Sequence, residues 1–418
     1  MHHRTRILVY AAAAILTAPA PVRATDPPPD RLWPVPLVPA VASSFCEYRE
    51  GHLHAGLDVR TYGREGIECL AAADGWVSRV RATPSGYGQV VYLQIESGET
   101  LVYAHLSEFS PQIDSMVVAE QHRAGRYSVD FRVPPGTVRV RRGDVIAYSG
   151  STGGVDPHLH FEVRNHNEHP LDPFSRGFAL EDTLRPAIER VVFVPLRAGA
   201  RVDGGCYPAE FEAVAEGPGR YAIRDTIAVD GGVGLEVGAV DFANAESGRL
   251  APRLLEVSVD GETVSRIEFN AFSFEHAGEV GFVYDVGRVW TKRQYLYQLY
   301  ERPGESLWSR QFVEGGRLLG DSPADGAVHE LRVRVADSVG NESELVATLV
   351  HTRRDGGRAR VRRWEGELPG WFFLGGVASR DDTPGPDTAG VWTAGAVEAA
   401  AAGSPFFLAG VRAGEDRS

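Results

Sequence analysis

The stretch Asp156–Arg164, DPHLHFEVR, decides how this chain is read. It has the look of a strand, and side chains two apart on a strand point to the same face. His158 and His160 therefore stand side by side, ahead of an apolar-acidic-apolar run. Two imidazoles on one face suit a metal site or a proton-transfer site. In isolation, a solvated strand face carrying two polar residues reads the same way, so the rest of the chain has to decide.

The chain has 418 residues, enough for two or three domains, and 43% of them are apolar, enough for a core. With 47 glycines, 26 prolines and few long helix-forming runs, the composition favours a mainly β architecture. A formal charge of -13 argues against nucleic acid as a partner, because phosphate binding needs a basic face. Acidity by itself names no partner.

Residues 1–24 read as a signal peptide. MHHRTR is a basic start, ILVYAAAAILTAPA an apolar stretch of the right length, and Val22-Arg23-Ala24 a small-residue cleavage site before Thr25. A retained anchor is the alternative, but the run is short for a span and is broken by Pro19 and Pro21. No later stretch is apolar enough to cross a bilayer, so no membrane span is expected after signal removal, and the location expected is the periplasm or the cell wall outside. The chain has three cysteines, Cys46, Cys69 and Cys206, which allow at most one internal disulfide. Cys46 with Cys69 is the pairing expected if one forms, with buried free thiols as the alternative. Their spacing rules out a cysteine-rich zinc module.

Residues 25–42 form a Pro-rich lead. Residues 43–180 hold short period-two segments: GWVSRV, QVVYLQIE, ETLVYAHL, TVRV, DVIAYSG and HLHFEVR. SPQIDSMVVAEQHR is the one helix expected there, starting at Ser110-Pro111. Residues 181–352 stay β but change character, from IERVVFVPL to HELRVRVADSVGNESELVATLV, with an Asp-Gly hairpin turn in SVDGET. They read as a β-sandwich, and the ending RVRVADSVGNES resembles the closing strands of immunoglobulin-like domains, which implies an immunoglobulin-like β-sandwich. Residues 353–418 are a tail that begins basic, turns Gly/Ala-rich at GAVEAAAAGSP, and offers at most a hairpin at WFFLGGV.

Upstream of the two histidines stands GHLHAGLDV. His54 and Asp58 are four apart, an even spacing that puts both on one face of a strand, with Gly56 leaving room between them. These two with one of His158 and His160 make a His2Asp set. Catalytic zinc sites use three such protein ligands at about 2 Å and leave a fourth position for water. YAHLS ends a β-run at His105, a third imidazole facing inward, although a lone histidine there is more often structural. Other hydrolase signatures fail. HELRV has Val333 where the second histidine of an H-E-x-x-H helix belongs, and YSGSTGG is not a G-x-S-x-G elbow.

Taken in order, H-x-G-x-D, Y-A-H-L and P-H-L-H-F-E resemble the lysostaphin-like, LytM-type zinc peptidase family, over Phe45 to Phe174. AADGWVSRV, GYGQVVYLQ and GDVIAYSGSTGG agree with it. The resemblance implies an antiparallel β-sheet catalytic domain with an open groove. It also implies one Zn2+ on His54, Asp58 and His160, with His105 and His158 beside the metal's water as catalytic groups. His52 falls outside the pattern, and Tyr48 is a candidate oxyanion donor. The departures are a long Ser107–Thr137 segment, expected as a helix and loop along the groove edge, Gln89 where Asn is common, and Cys69 where Val is common. The implied activity is hydrolysis of amide bonds in peptidoglycan peptides. The rival readings are a non-catalytic LytM-type regulator of another wall hydrolase, and a wall-binding protein. In each, the β-sandwich is a possible surface for a wall or protein partner.

Overall fold

Period-two apolar segments build most of this molecule. The computed structural model describes residues 31–178, 180–244, 248–301, 313–314, 316, 319–320, 326–352, 360–368, 371–379 and 406–412. The signal-like residues 1–24, the start of the Pro-rich lead and the GAVEAAAAGSP stretch lie outside the described residues.

In the first half, strands Val41–Ser43 (β1), Tyr48–Arg49 (β2), His52–Leu53 (β3), Leu57–Arg60 (β4) and Glu68–Leu70 (β5) come first. Gly75–Ala82 (β6), Gln89–Ile95 (β7), Thr100–Ala104 (β8) and Leu106–Phe109 (β9) lead into helix Pro111–Ala124 (α1). Val129–Arg132 (β10), Arg139–Val140 (β11), Val145–Ser149 (β12), His158–Arg164 (β13) and Pro170–Leu171 (β14) follow. Nine of these form one sheet, ordered β1-β4-β13-β8-β7-β6-β10, with β11 beside β6 and β14 beside β13. Three more form a small sheet, β5-β12-β9.

Alternation along β13 divides the large sheet into two faces. Leu159, Phe161 and Val163 are buried in an aliphatic core that α1 and the small sheet close from the far side. Each such side chain contributes roughly 1.5–3 kcal/mol by leaving water. His158, His160, Glu162 and Arg164 occupy the opposite face. The expected helix forms, with proline in its first turn and Gly125 in the left-handed conformation (φ 64) at its end. Its Ile113 and Val117 are buried in the aliphatic core. The helix of the long Ser107–Thr137 segment therefore lies behind the sheet and not along the groove edge, a correction that follows from where its apolar residues find cover.

At Gly56 the chain passes hard against β13. A Cβ there would sit 2.2 Å from the Phe161 carbonyl oxygen and 2.8 Å from Glu162 Cγ. Gly56→Ala should destabilise the fold by about 1–3 kcal/mol through overpacking, read as a lower urea midpoint. An unchanged midpoint would mean that the two strands separate freely.

The second half runs through Ala187–Pro195 (β15), Arg201–Val202 (β16), Ala209–Glu212 (β17), Val214–Gly217 (β18), Arg220–Asp230 (β19) and Val233–Val240 (β20). Leu254–Val259 (β21), Glu262–Glu268 (β22), helix Val286–Lys292 (α2), Leu296–Gln298 (β23), Val313–Glu314 (β24), Val328–Ala336 (β25) and Glu342–His351 (β26) complete it. A four-stranded sheet, β17-β15-β20-β23, and an eight-stranded one, β16-β19-β26-β25-β21-β22-β24 with β18 on β19, enclose one core. The Asp-Gly turn joins β21 to β22 with Asp260 and Gly261 at φ 50 and 80, as that hairpin type requires. The pairing of β19 with β26 is parallel, which spacing did not foretell.

The two halves are not separate bodies in packing. Phe45, Cys46, Leu53 and Ala55 are buried in the core of the second half. Cys69 is buried in the core of the first half, and both thiols are free. The Cys46–Cys69 bridge is therefore not formed and the alternative of buried free thiols holds, because the two residues are buried in different cores. Arg360–Leu368 (β27), Trp371–Ser379 (β28) and Phe406–Arg412 (β29) pair in a three-stranded sheet, so WFFLGGV is in a central strand. Among the described residues no helix is long and apolar enough to cross a membrane.

Candidate metal centre

Register brings the first two members together. Asp58 of β4 pairs directly with His160 of β13, and His160 pairs on its other side with Ala104 of β8, whose small side chain leaves the imidazole space. His54 arrives differently. It does not share a strand with Asp58, as its spacing had predicted; β3 ends at Leu53, and the chain bends through Gly56 before β4. The bend still delivers the ring. His54 Nε2 lies 3.0 Å from Asp58 Oδ1 and 3.1 Å from His160 Nδ1, and His160 Nδ1 lies 3.0 Å from the same carboxylate oxygen.

The outer nitrogens fix the roles of the inner ones. His54 Nδ1–H donates to the Ser44 carbonyl at 2.7 Å, and His160 Nε2–H donates to Glu162 Oε1 at 2.8 Å. With both rings neutral, the inner nitrogens present lone pairs to each other and to a carboxylate, an arrangement that suits a cation in place of a proton. Burial disfavours charge on His160, but Asp58 and Glu162 outweigh it and raise its pKa to about 9. Burial likewise opposes ionisation of Asp58, yet the imidazoles of His54, His158 and His160 hold it well below the usual carboxylate range. Three donors on arms of about 2 Å in a tetrahedron stand about 3.3 Å apart, close to the separations here, and two imidazoles with one carboxylate are a donor set that zinc accepts. His54, Asp58 and His160 thus fit that ion.

A supporting shell surrounds them. Glu162 is 0% exposed. Its Oε2 accepts from Arg164 Nε at 2.6 Å, and Tyr87 donates its hydroxyl to Oε1. Burial pushes Glu162 up, but Arg164 and then His160 prevail and hold it at about 2. The Arg164 guanidinium lies 4.6 Å from the ring centre of Phe274 and 5.5 Å from that of Tyr92, so the second half helps to cover it. Asp58 Oδ2 accepts from Arg49 Nη2 at 3.0 Å. The spacing argument missed Glu162, Arg164, Tyr87 and Arg49. For the first two the signal was present, because His158, His160, Glu162 and Arg164 continue one alternation, and a ligating histidine commonly gives its other N–H to a carboxylate. Glu162→Gln should weaken metal binding by about 10–100-fold, measured against a competing chelator; unchanged affinity would reduce Glu162 to a packing role.

His105 and His158 flank the trio. His105 sits between β8 and β9 at φ 60, where the chain leaves the large sheet for the small one. Its Nδ1–H donates to the Thr152 carbonyl at 2.8 Å. Thr152 is held in turn, donating to Leu106 O at 2.7 Å and accepting from Gln89 N at 2.9 Å. The Gly-rich loop before β13 thus aims His105. Burial, then the neighbouring His160, pushes His105 down to about 4. His158 Nδ1–H donates to Asp156 O at 2.7 Å, and its Nε2 lies 3.3 Å from Asp58 Oδ1. The rings of His105 and His158 are centred 4.8 Å apart.

Two other residues stand apart. His52 is exposed, with Nδ1 at the Glu50 carbonyl. Tyr48, considered as an oxyanion donor, is held by contacts from the second half. Its hydroxyl accepts from Trp290 Nε1 at 3.0 Å and its ring packs on Tyr284 and Tyr295, which commits it to the junction between the halves.

No family model matches the chain. Over 124 residues it is 34% identical to the DD-carboxypeptidase/endopeptidase Mpg of Neisseria meningitidis serogroup B, a match that covers 29% of this chain and 22% of that protein. Over 164 residues it is 29% identical to the murein hydrolase activator NlpD of Salmonella dublin, covering 37% of this chain and 36% of the relative. The matches thus span between about a fifth and about a third of these relatives' lengths. Among solved structures, the catalytic domain of lysostaphin from Staphylococcus simulans aligns at 24% identity and a TM-score of 0.23, over 31% of this chain and 86% of that one. The relatives are LytM-domain proteins, and over this stretch the chain is similar to them.

Proposed function

We propose that the chain is an exported zinc-dependent endopeptidase that hydrolyses amide bonds in peptidoglycan peptides, in cross-links or stems. The observation that carries this reading is the convergence of His54 Nε2, Asp58 Oδ1 and His160 Nδ1 beside two further imidazoles. His54, Asp58 and His160 would hold the ion. When bound, zinc supplies Lewis acidity and brings the pKa of a water toward ~7.

This chain's own contribution is proton handling. His105 and His158 both commit Nδ1–H to a backbone carbonyl, so on each ring Nε2 is the basic atom. One Nε2 accepts the proton of the attacking water. The other imidazole, when protonated, donates to the oxyanion of the tetrahedral intermediate or to the leaving amine. A thiol route lacks support, because burial pushes the Cys46 and Cys69 thiols up, away from the reactive thiolate. Peptidoglycan is the proposed substrate because the relatives include a carboxypeptidase/endopeptidase and a murein hydrolase activator. The signal-like start supports export to the periplasm or wall.

The similarity to NlpD favours a second reading, a non-catalytic activator of another wall hydrolase that works through a partner surface on the second half. Zinc content separates the two. The enzyme should hold about one zinc per chain and the regulator less, even after loading. The decisive test is digestion of purified peptidoglycan with mass analysis of the fragments. New amino termini released by the wild type and not by His160→Ala support the peptidase. A zinc-loaded wild type that releases none would sink it.

A further inference from the structure

Away from the imidazoles, three carboxylates meet where the connection between the halves crosses the sandwich. Asp182 lies in that connection, Asp241 directly follows β20 of the four-stranded sheet, and Asp337 directly follows β25 of the eight-stranded sheet. One oxygen from each lies within 4.8 Å of the other two. Asp182, Asp241 and Asp337 line a cavity of about 20 Å³, walled by apolar residues such as Phe174, Leu180 and Leu250 and with room for a single ion.

The three groups are not equivalent. Asp337 is 4% exposed and firmly held: its Oδ1 accepts from the backbone N–H groups of Val339, Gly340 and Asn341 at 2.9, 2.7 and 2.8 Å, and its Oδ2 from Asn341 Nδ2 at 2.7 Å. Asp182 Oδ1 accepts from Leu184 N at 2.9 Å. Asp241 is 5% exposed, and its Oδ1 is buried with no hydrogen-bond partner. A carboxylate with a buried oxygen that lacks a donor, in a residue close to two more carboxylates, is strongly disfavoured as the charged form. Burial, then Asp337 and Asp182, push Asp241 up to about 8. Among the described residues neither Asp182 nor Asp241 has an ion pair to offset this.

We propose that Asp182, Asp241 and Asp337 bind one hard divalent cation, calcium by preference, which ties the connection to both sheets of the second half. All three donors are oxygens, the set that calcium selects, and there is no imidazole or thiolate to favour zinc. The cation replaces the missing donor at Asp241 Oδ1 and lets Asp241 ionise beside the other two carboxylates. Its structural effect reaches the imidazole centre indirectly, because the same second half places Phe274 over Arg164 and Trp290 on Tyr48.

The test uses the full chain, stripped of metal and then given calcium chloride, magnesium chloride or zinc chloride separately, with thermal unfolding and calorimetric titration as readouts. Millimolar calcium should raise the melting temperature by about 5 °C and titrate at about one per chain. Asp241→Asn should lose that response, and in the absence of metal it should melt no lower than the wild type, since Asn matches the size of the neutral acid and cannot ionise there. Asp182→Asn, at the less buried member, should bind calcium at least about tenfold more weakly. His160→Ala should keep the calcium response, so failure of the peptidase reading leaves this one standing. A wild type unmoved by millimolar calcium and magnesium would overturn the proposal. So would an Asp241→Asn protein that responds like the wild type, or a response lost in His160→Ala but kept in Asp241→Asn.

Discussion

In the His160→Ala protein, zinc should fall from about one per chain to none, and the proposed peptidoglycan cleavage should drop by about a thousandfold or more. The variant leaves two donors, His54 Nε2 and Asp58 Oδ1, where a stable site needs three. Glu162 loses one donor but keeps Arg164 and Tyr87, so the fold should survive, checked by circular dichroism. His160→Gln preserves more of the volume and serves as a companion. Zinc is counted by mass spectrometry and cleavage by fragment release. A zinc-replete but inactive His160→Ala would put His158 in the ligand set instead, since its Nε2 already lies 3.3 Å from Asp58 Oδ1. Stripping zinc from the wild type and restoring it should abolish and return activity. Activity should also fall in acid, because protons compete for the same ring nitrogens.

His105→Ala and His158→Ala give the second large effect, with a different signature. Each should keep about one zinc and lose about 10²–10⁴-fold in kcat, with a smaller change in KM. Neither ring belongs to the converging trio, and both present Nε2 after giving Nδ1–H to a carbonyl. Retained zinc separates a proton-transfer role from a structural one, and the pH profiles of the two variants should differ if one ring accepts and the other donates. Full kcat in either variant would reduce the mechanism to a single histidine.

Much of this centre was legible in the residues. The i, i+2 spacing of His158 and His160 gives a shared face on β13 whatever the rest of the chain does. The same reasoning misled for His54 and Asp58, where even spacing implied one strand and the chain instead bends at Gly56. The resemblance named His105, and its ring does lie beside those of His158 and His160, but its left-handed backbone and its tether to Thr152 come from the hand-over between two sheets. Tyr48 was read without the contact that Trp290, 242 residues further along, makes with its hydroxyl. Spacing arguments see neighbours a few positions away and are blind to partners of that kind.

By itself the sequence determined a β-rich molecule and the alternation that separates core from site on β13, and family resemblance named five candidate side chains. Only the tertiary structure decided that Cys46 and Cys69 are buried in different cores, that helix α1 lies behind the sheet, and that Asp182, Asp241 and Asp337 meet. The physical reason is that facing direction is a local property with a period of two residues, whereas strand partners are chosen by burial of apolar surface over long sequence separations, which no short motif records.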